Sequence, residues 1–233
     1  MTYVRTLKRI RQDKTNYRKR AALLLGRSSF VTVKVTDQNV STQLLKPTLT
    51  GDIVIASSHS RELAKHGWKG AFNNLPACYL TGLLLGKKAL EKGIKDAVLY
   101  VGKDKFTARV AAALKGVVDS GVNIPVSQES LPPAERLTGK HIAEYASSLK
   151  ANNQEYNSRF SGLLKAGLNP EDYPSHFEEV RLKISGKPSE FKLNTDKESR
   201  QKAEKSSKEK PAKEGRPREK TVKPDKKKEA KTK

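Results

Sequence analysis

The stretch that most constrains the fold runs from Leu75 to Val101, where an apolar helix is followed by a short apolar strand. The helix, Leu75 to Lys92, is apolar on nearly every side through Leu85, so we expect its first three turns to be buried. The strand, Ala97 to Val101, is a run of apolar residues that is typical of a central strand with both faces covered. The sequence therefore predicts an α/β domain built around this pair.

Small residues recur every four positions within the helix, at Cys78, Gly82 and Gly86. Side chains at this spacing share one helix face, and a stripe of small ones lets another backbone approach closely. Each glycine costs about 1 kcal/mol of helix propensity relative to alanine, so its presence needs a reason. We expect that reason to be close approach to the sheet.

Three strand-like segments precede the helix and predict an antiparallel meander: Phe30–Thr36, Val40–Leu45 and Ile53–Ala56. Alternation in the first places its valines on the core face and Lys34 on the outward face. On the residues alone, this outward face is either ordinary solvent-exposed sheet or a platform for RNA. Beyond the central pair, a helix at Lys105–Gly121 and a strand at Val122–Val126 imply right-handed parallel crossovers. The expected fold is a mixed sheet with helices on its faces.

The sequence divides into four parts. Residues 1–27 form a basic arm with a short helix from Lys19 to Gly26, and residues 28–130 form the mixed α/β core. Residues 131–193 form a helical extension, with helices predicted at His141–Leu149, Asn153–Lys165 and Pro170–Ile184, the first capped by Thr138. Residues 194–233 are rich in lysine, lack aromatic residues and are predicted to be disordered.

Charge is concentrated at the two ends of the chain. The formal net charge is +22, of which residues 1–27 and 194–233 supply +8 each. Basic arms on a less charged core are typical of a polyanion binder, with nucleic acid favoured over an anionic membrane. No apolar run reaches the roughly 18 residues of a membrane span. One cysteine and no signal peptide indicate a reducing, cytoplasmic location.

Aromatic and basic side chains alternate in the arm, where Tyr17 lies among Lys14, Arg18, Lys19 and Arg20. An aromatic ring can stack on a base while its neighbouring cations contact phosphates, although the same pattern could be a solvated basic leader. The residues alone also leave the role of the single tryptophan open. Trp68 precedes Lys69, and its commoner role would be to close the edge of the core.

Catalytic patterns are weak. The segment from Gly82 to Lys88 falls one residue short of a phosphate-binding loop and lacks its hydroxyl residue, and the four histidines have no metal-binding spacing. A nuclease of the RNase H type would need clustered carboxylates starting in the first strand, which has none. The aspartates beside turns or helix ends are expected to act as caps: Asp37, Asp52, Asp104 and Asp119. We expect no cofactor and no metal.

Several segments occur together in the order of a known family: KTNYRKR before a leucine run, GDIVIASSHSREL, GWKGAFNNLPACYLTGLLLGKKAL, FTARVAAALKGVVDSG, RLTGKHIAEYA and NSRFSGLLKAG. Over residues 5–185 the chain resembles the 5S-rRNA-binding family of the large ribosomal subunit, the L-eighteen family, called L-five in eukaryotes. Its length resembles that of archaeal members. The lysine-rich tail departs from the family pattern.

The resemblance implies a fold of the translational-machinery-component type and a non-catalytic role in holding 5S rRNA in the central protuberance. It implies contacts with the large-subunit rRNA and with neighbouring ribosomal proteins, including the other 5S-associated protein. It also favours the arm and the outward face of the meander as the RNA surface. Runner-up hypotheses are a free-standing chaperone for double-stranded RNA and a processing nuclease. The candidate RNA-binding residues are Arg5, Lys8, Arg9, Arg11, Lys14, Asn16, Tyr17, Arg18, Lys19, Arg20, Arg27, Lys34, Trp68 and Lys69.

Overall fold

A four-stranded mixed sheet forms the centre of the fold, which confirms the predicted α/β class. In a computed structural model, the described residues are 5–12, 14–48, 51–102 and 104–186, so the predicted tail at 194–233 lies outside them. The strands are Ser29–Val35 (β1), Val40–Thr48 (β2), Gly51–His59 (β3) and Ala97–Leu99 (β4). Their order is β3-β2-β1-β4, with β4 parallel to β1 and the meander of β1, β2 and β3 antiparallel, as predicted.

Every helix predicted from the sequence is found, and each end lies within three residues of its predicted position. The α-helices of the described ranges are Lys8–Arg11 (α1), Tyr17–Leu25 (α2), Leu75–Glu91 (α3), Ala108–Asp119 (α4), Ala134–Thr138 (α5), Lys140–Leu149 (α6), Asn153–Lys165 (α7) and Tyr173–Ser185 (α8). Turns of 3-10 helix occupy Ser60–His66, Gln128–Ser130 and Pro170–Asp172. None of the helices in the described residues has the length and apolar character needed to cross a membrane.

One face of the sheet is buried beneath α3. Alternation in β1 directs Val31 and Val33 to this face, where both are buried. Two hydroxyls also lie there, and they are satisfied. Thr42 in β2 and Ser58 in β3 are hydrogen-bonded to each other at 2.8 Å, and Ser58 Oγ donates to the carbonyl of Thr81 in α3 at 2.8 Å. The sheet and the central helix are thus joined by polar contacts inside an apolar layer.

The glycines of α3 are explained by a neighbouring helix, not by the sheet. A Cβ atom on Gly82 would lie 1.9 Å from the carbonyl oxygen of Ala113 in α4, and one on Gly86 would lie 1.8 Å from Ser120 Oγ. The contact is reciprocal, because a Cβ on Gly116 of α4 would lie 2.1 Å from the Tyr79 carbonyl oxygen. The prediction of close backbone approach is right, but the predicted partner is wrong.

Strand β4 lies at the edge of the sheet, so the prediction of a central strand is wrong. Among the strands of the described residues it pairs with β1, and on its other side the Ala97 N–H donates to the Asn123 carbonyl at 3.1 Å. Ala97 is its one fully buried residue. The strand predicted at 122–126 is reduced to a single parallel bridge between Asp96 and Asn123. Val122 and Ile124 are nevertheless buried. Their apolar character reflects packing in a loop and not strand pairing.

The C-terminal helices pack on the core through α8. The ring of Phe177 lies 5.7 Å from the ring of Tyr79 in α3, and the Tyr173 hydroxyl accepts a hydrogen bond of 2.6 Å from Asn74 Nδ2. The predicted cap at Thr138 is wrong. Its hydroxyl donates to the Glu135 carbonyl at 3.0 Å within α5, and Gly139, with φ at 82°, takes the N-cap position of α6.

Asp119 binds Tyr79 of α3 instead of capping a helix, and Tyr79 contacts both α4 and α8. Asp119 accepts a hydrogen bond of 2.8 Å from the Tyr79 hydroxyl, which connects α4 to α3. The guanidinium of Arg181 in α8 lies 5.4 Å from the centre of the Tyr79 ring, a cation–π geometry. Burial, followed by the negative charge of Asp119, raises the pKa of Tyr79. The hydroxyl therefore stays protonated and acts as the donor.

Two lysines at the C-terminal end of α3, Lys88 within the helix and Lys92 directly after it, cover the free edge of β3. Lys88 Nζ donates to the Ser57 carbonyl at 2.9 Å and pairs with Glu62 at 2.6 Å, while Lys92 Nζ donates to the Ile55 carbonyl. An uncovered edge strand is a template for pairing with another chain. These two lysines occupy the carbonyls that such a pairing would use.

We expect the double substitution Lys88→Ala and Lys92→Ala to increase self-association of the chain, because it frees the β3 edge. The measurement is light scattering of the RNA-free protein over a concentration series. The control is Lys95→Ala with Lys105→Ala, which removes the same charge from exposed positions away from β3. Equal self-association of the two variants would mean that lost charge, and not the edge, is the cause.

Candidate nucleic-acid interface

The basic arm presents its side chains to solvent. Residues 1–27 contain nine basic side chains and a single acidic one, Asp13. The basic side chains are carried by α1, by α2 and by the segments beside them, and none is buried. Most of the predicted residues are exposed: Arg5, Lys8, Arg9, Arg11, Lys14, Tyr17, Arg18, Lys19, Arg27, Lys34 and Lys69. Such a surface attracts phosphates and has little internal charge to oppose them.

Asn16 starts α2 as its N-cap. Its side-chain oxygen accepts a hydrogen bond of 3.2 Å from the backbone N–H of Lys19. This satisfies one of the free N–H groups of the first turn, which accounts for an asparagine at this position without any ligand. Tyr17, Arg18 and Lys19 follow directly and form the first turn. The helix therefore holds one aromatic and two cationic side chains close together.

Arg20 is the predicted residue with the most definite protein contact. Its guanidinium donates two hydrogen bonds to the carboxylate of Asp52 in β3, Nη1 to Oδ2 at 2.7 Å and Nη2 to Oδ1 at 2.5 Å. Hydrogen bonding to Asp52 raises the pKa of Arg20 above its usual value. Asp52 was expected to cap a turn and instead binds the arm. The fork geometry is the strong form of an arginine–carboxylate pair.

The outward face of the meander is polar around Lys34. Strand pairing places Lys34 beside Ser41 and Thr32 beside Gln43, all on the face opposite the core. Together with Tyr100 these residues line a shallow groove that continues to Asp104. The predicted alternation of β1 is confirmed. The described lining of the groove presents hydrogen-bonding groups, one cation, one carboxylate and one aromatic ring.

Phe30 departs from the expected pattern. It lies on the outward face of β1 but is only 3% exposed, and its ring packs edge-on against Tyr100 at 5.5 Å. Tyr100 follows β4 and is not among the candidate RNA-binding residues predicted from the sequence. A signal was available, because an aromatic residue directly after a strand parallel to β1 lies beside the outward side chains of β1. The outward face is thus apolar at one end and polar at the other.

Trp68 belongs to the core. It is 4% exposed, packs edge-on against Tyr173 at 5.5 Å and stacks on His176 at 5.3 Å. Its Nε1 donates to the Ala71 carbonyl at 3.2 Å, so the indole has no free donor. A ring buried in this way cannot stack on a base in the folded protein. Its candidacy as an RNA-binding residue is therefore corrected to the structural role.

Lys69 forms its hydrogen bonds with the C-terminal part of the chain and not with the arm. Its backbone N–H donates to His176 Nε2 at 3.1 Å, and its Nζ donates to the Gly167 carbonyl at 3.3 Å. Burial lowers the pKa of His176, in agreement with a neutral ring whose Nε2 accepts this bond. Lys69 thus joins the core to the C-terminal helices. Its ammonium group remains exposed and could also contact phosphate.

The described residues offer no metal site, since no three histidine, cysteine, aspartate or glutamate side chains lie close enough to hold an ion. Cys78 is buried in α3, and desolvation raises the pKa of its thiol to about 12. It is therefore protonated and a poor ligand or nucleophile at neutral pH. What the described surface can do is bind: it has exposed cations, aromatic rings and polar groups on neighbouring elements.

Comparison with known proteins agrees with this description. Residues 2–108 match the family described as "Ribosomal large subunit proteins 60S L5, and 50S L18". The large ribosomal subunit protein uL18 of Thermofilum pendens is 47% identical over 181 residues, which are 76% of this chain and 92% of that protein. The uL18 protein of Aeropyrum pernix is 48% identical over 182 residues, which are 76% of this chain and 85% of that protein.

Proposed function

The chain belongs to the family of large-subunit ribosomal proteins that contains 60S L5 and 50S L18, and from this we propose that it binds 5S rRNA. Proteins of this family are structural components of the ribosome and are located with it in the cytoplasm. This membership confirms the predicted non-enzymatic role in translation. The archaeal relatives also confirm the predicted resemblance. Within the subunit, we propose that the protein helps to anchor 5S rRNA in the central protuberance.

One observation carries the proposal of RNA binding. Residues 1–27 carry nine basic side chains and one acidic one, and every one of the basic side chains remains at least partly accessible. Exposed cations at this density bind a polyphosphate backbone by releasing its counterions. The polar face around Lys34 supplies hydrogen-bonding groups that could distinguish a folded RNA from any other polyanion. The proposed interface combines this face with the arm and leaves out Trp68.

The remaining parts are assigned to other partners. We propose that the helical extension at 131–193 contacts the large-subunit rRNA and neighbouring ribosomal proteins, including the other 5S-associated protein. Exposed Tyr145 and Leu182 support this, because each presents a large apolar side chain that is 46% to 49% accessible. We propose that the tail at 194–233 adds a weak and less specific RNA contact, since eight of its charged residues are acidic.

A binding competition tests the proposal. The full-length protein is titrated with 5S rRNA from the source organism and with a duplex RNA of equal length, at several salt concentrations. We expect a clear preference for 5S rRNA that persists as salt rises. Equal binding to both RNAs would favour the chaperone hypothesis. Cleavage that depends on a divalent metal ion would favour the nuclease.

Tyr17→Ala is expected to weaken binding to 5S rRNA while leaving the melting temperature unchanged. The ring is 37% exposed and lies outside the core, so its loss removes base stacking rather than packing. We expect a loss of about 1 kcal/mol of binding free energy, the lower end of the range for base–aromatic stacking. Tyr17→Phe is the control and should bind like the wild type. A loss of binding in both variants would assign the effect to the hydroxyl.

A further inference from the structure

We infer that Asp52, an acidic residue, promotes RNA binding by holding α2 in its binding orientation through Arg20. The inference rests on the proposed function and adds a positioning residue to it. It runs against simple electrostatics, since a carboxylate beside a cationic surface should repel a polyanion.

The geometry of the Arg20–Asp52 pair sets the orientation of α2 as well as its position. Arg20 and Asp52 form two parallel N–H···O bonds, at 2.7 and 2.5 Å, across 32 residues of sequence. Each side chain is only about a fifth exposed, at 23% and 22%. A planar guanidinium bound through two nitrogens restricts rotation as well as translation. The pair therefore defines how α2 is turned relative to β3.

Helix α2 has little else to hold it. It spans Tyr17–Leu25, contains no buried residue and is shorter than the 12 to 15 residues at which isolated helices become marginally stable. Leu25 is 85% exposed and Leu24 is 40% exposed. Among the hydrogen bonds and ion pairs of the described residues, the contact to Asp52 is the one that joins α2 to another element. Loss of this contact would let the helix turn or detach.

The anchor directs the neighbouring cations outward. At about 100° per residue, Arg18 lies about 200° around the helix from Arg20, on the same side as the exposed Leu25. Lys19 lies between these two directions and is also exposed. With Arg20 bound to the sheet, Arg18 and Lys19 project away from the protein. Asp52 thus uses one cation of the arm to orient two others.

The size of the effect follows from the fraction of molecules with α2 docked. An exposed ion pair contributes little in general, but a bidentate pair with restricted side chains lies at the strong end of the range. A protein whose competent state is only partly populated binds with an affinity reduced by that fraction. We therefore expect Asp52→Asn to weaken binding about three- to tenfold. If Asp52 did not position α2, removing its negative charge would leave RNA binding unchanged or make it tighter.

The test compares Asp52→Asn with Asp37→Asn, which removes the same charge from an exposed turn between β1 and β2. Affinity for 5S rRNA and for a duplex RNA of equal length is measured over a salt series. For Asp52→Asn we expect weaker binding with an unchanged salt slope, because no phosphate contact is lost. Asp52→Glu, which keeps the carboxylate, should recover most of the affinity. Asp37→Asn should bind at least as tightly as the wild type.

A second measurement does not depend on RNA. Hydrogen exchange of the amides of residues 17–25 in the free protein should become faster in Asp52→Asn and remain unchanged in Asp37→Asn. If Asp52→Asn binds as tightly as Asp37→Asn, or if its α2 exchanges at the wild-type rate, the inference is overturned. If the wild type shows no preference for 5S rRNA, the proposed function fails instead. The exchange rates then still decide whether Asp52 holds the helix.

Discussion

Gly82→Leu is expected to destabilise the protein by about 3 kcal/mol or more, at the upper end of the range for overpacked cores. Even a Cβ atom at this position would lie 1.9 Å from the carbonyl oxygen of Ala113, and a backbone atom cannot rotate away as a side chain can. Helices α3 and α4 must therefore separate, which opens the centre of the core. Thermal and urea unfolding of the RNA-free protein measure the change.

Two substitutions of glycine by alanine serve as matched controls. Gly82→Ala should also destabilise, whereas Gly162→Ala in α7 should be neutral or stabilising by up to about 1 kcal/mol, because a Cβ there meets nothing within 4 Å. RNA affinity of the Gly82 variants should fall only by the fraction that is unfolded. A Gly82→Leu protein that folds normally but loses RNA binding would place α3 in the recognition surface.

The sequence predicts what depends on local periodicity. The alternation of β1 identified its buried valines, and the apolar run of α3 identified the central helix, because solvent exposure alone sets both patterns. The spacing of Gly82 and Gly86 likewise predicted a close backbone contact. It could not identify the neighbour, since a stripe of small residues fits a helix as well as a sheet. Only the three-dimensional path of the chain places α4 there.

The errors share a cause as well. The apolar residues of β4 were interpreted as a central strand and those of segment 122–126 as a further strand, but a buried edge strand or a buried loop requires the same composition. Trp68 and Asp52 were assigned by residue type, and each has a partner far along the chain, in α8 and in α2. No local pattern records such a partner. Long-range side-chain pairs are thus where inference from this sequence ends.

One part of the candidate interface could be predicted from the sequence, and the other part could not. Charge density and the position of Tyr17 pointed to the arm, because these are properties of a contiguous segment. The groove beside Lys34 requires Tyr100, which directly follows β4, more than 60 residues further along the chain. The sequence thus predicted the electrostatic part of the interface. The part that could confer selectivity was visible only in the folded sheet.

Deletion of residues 1–20 is expected to weaken binding to 5S rRNA by about 100-fold or more and to flatten its salt dependence by several units. The segment carries eight basic side chains and one acidic one, and each phosphate contact contributes about 0.7 to 0.9 to the slope of log affinity against log salt. None of its described residues is buried, so the melting temperature should change little.

The comparison is deletion of residues 194–233, which removes a similar net charge of +8. Because acidic side chains are mixed among its cations, we expect that deletion to leave both slope and selectivity nearly intact. Equal losses from the two deletions would show that net charge, and not the arm, controls binding.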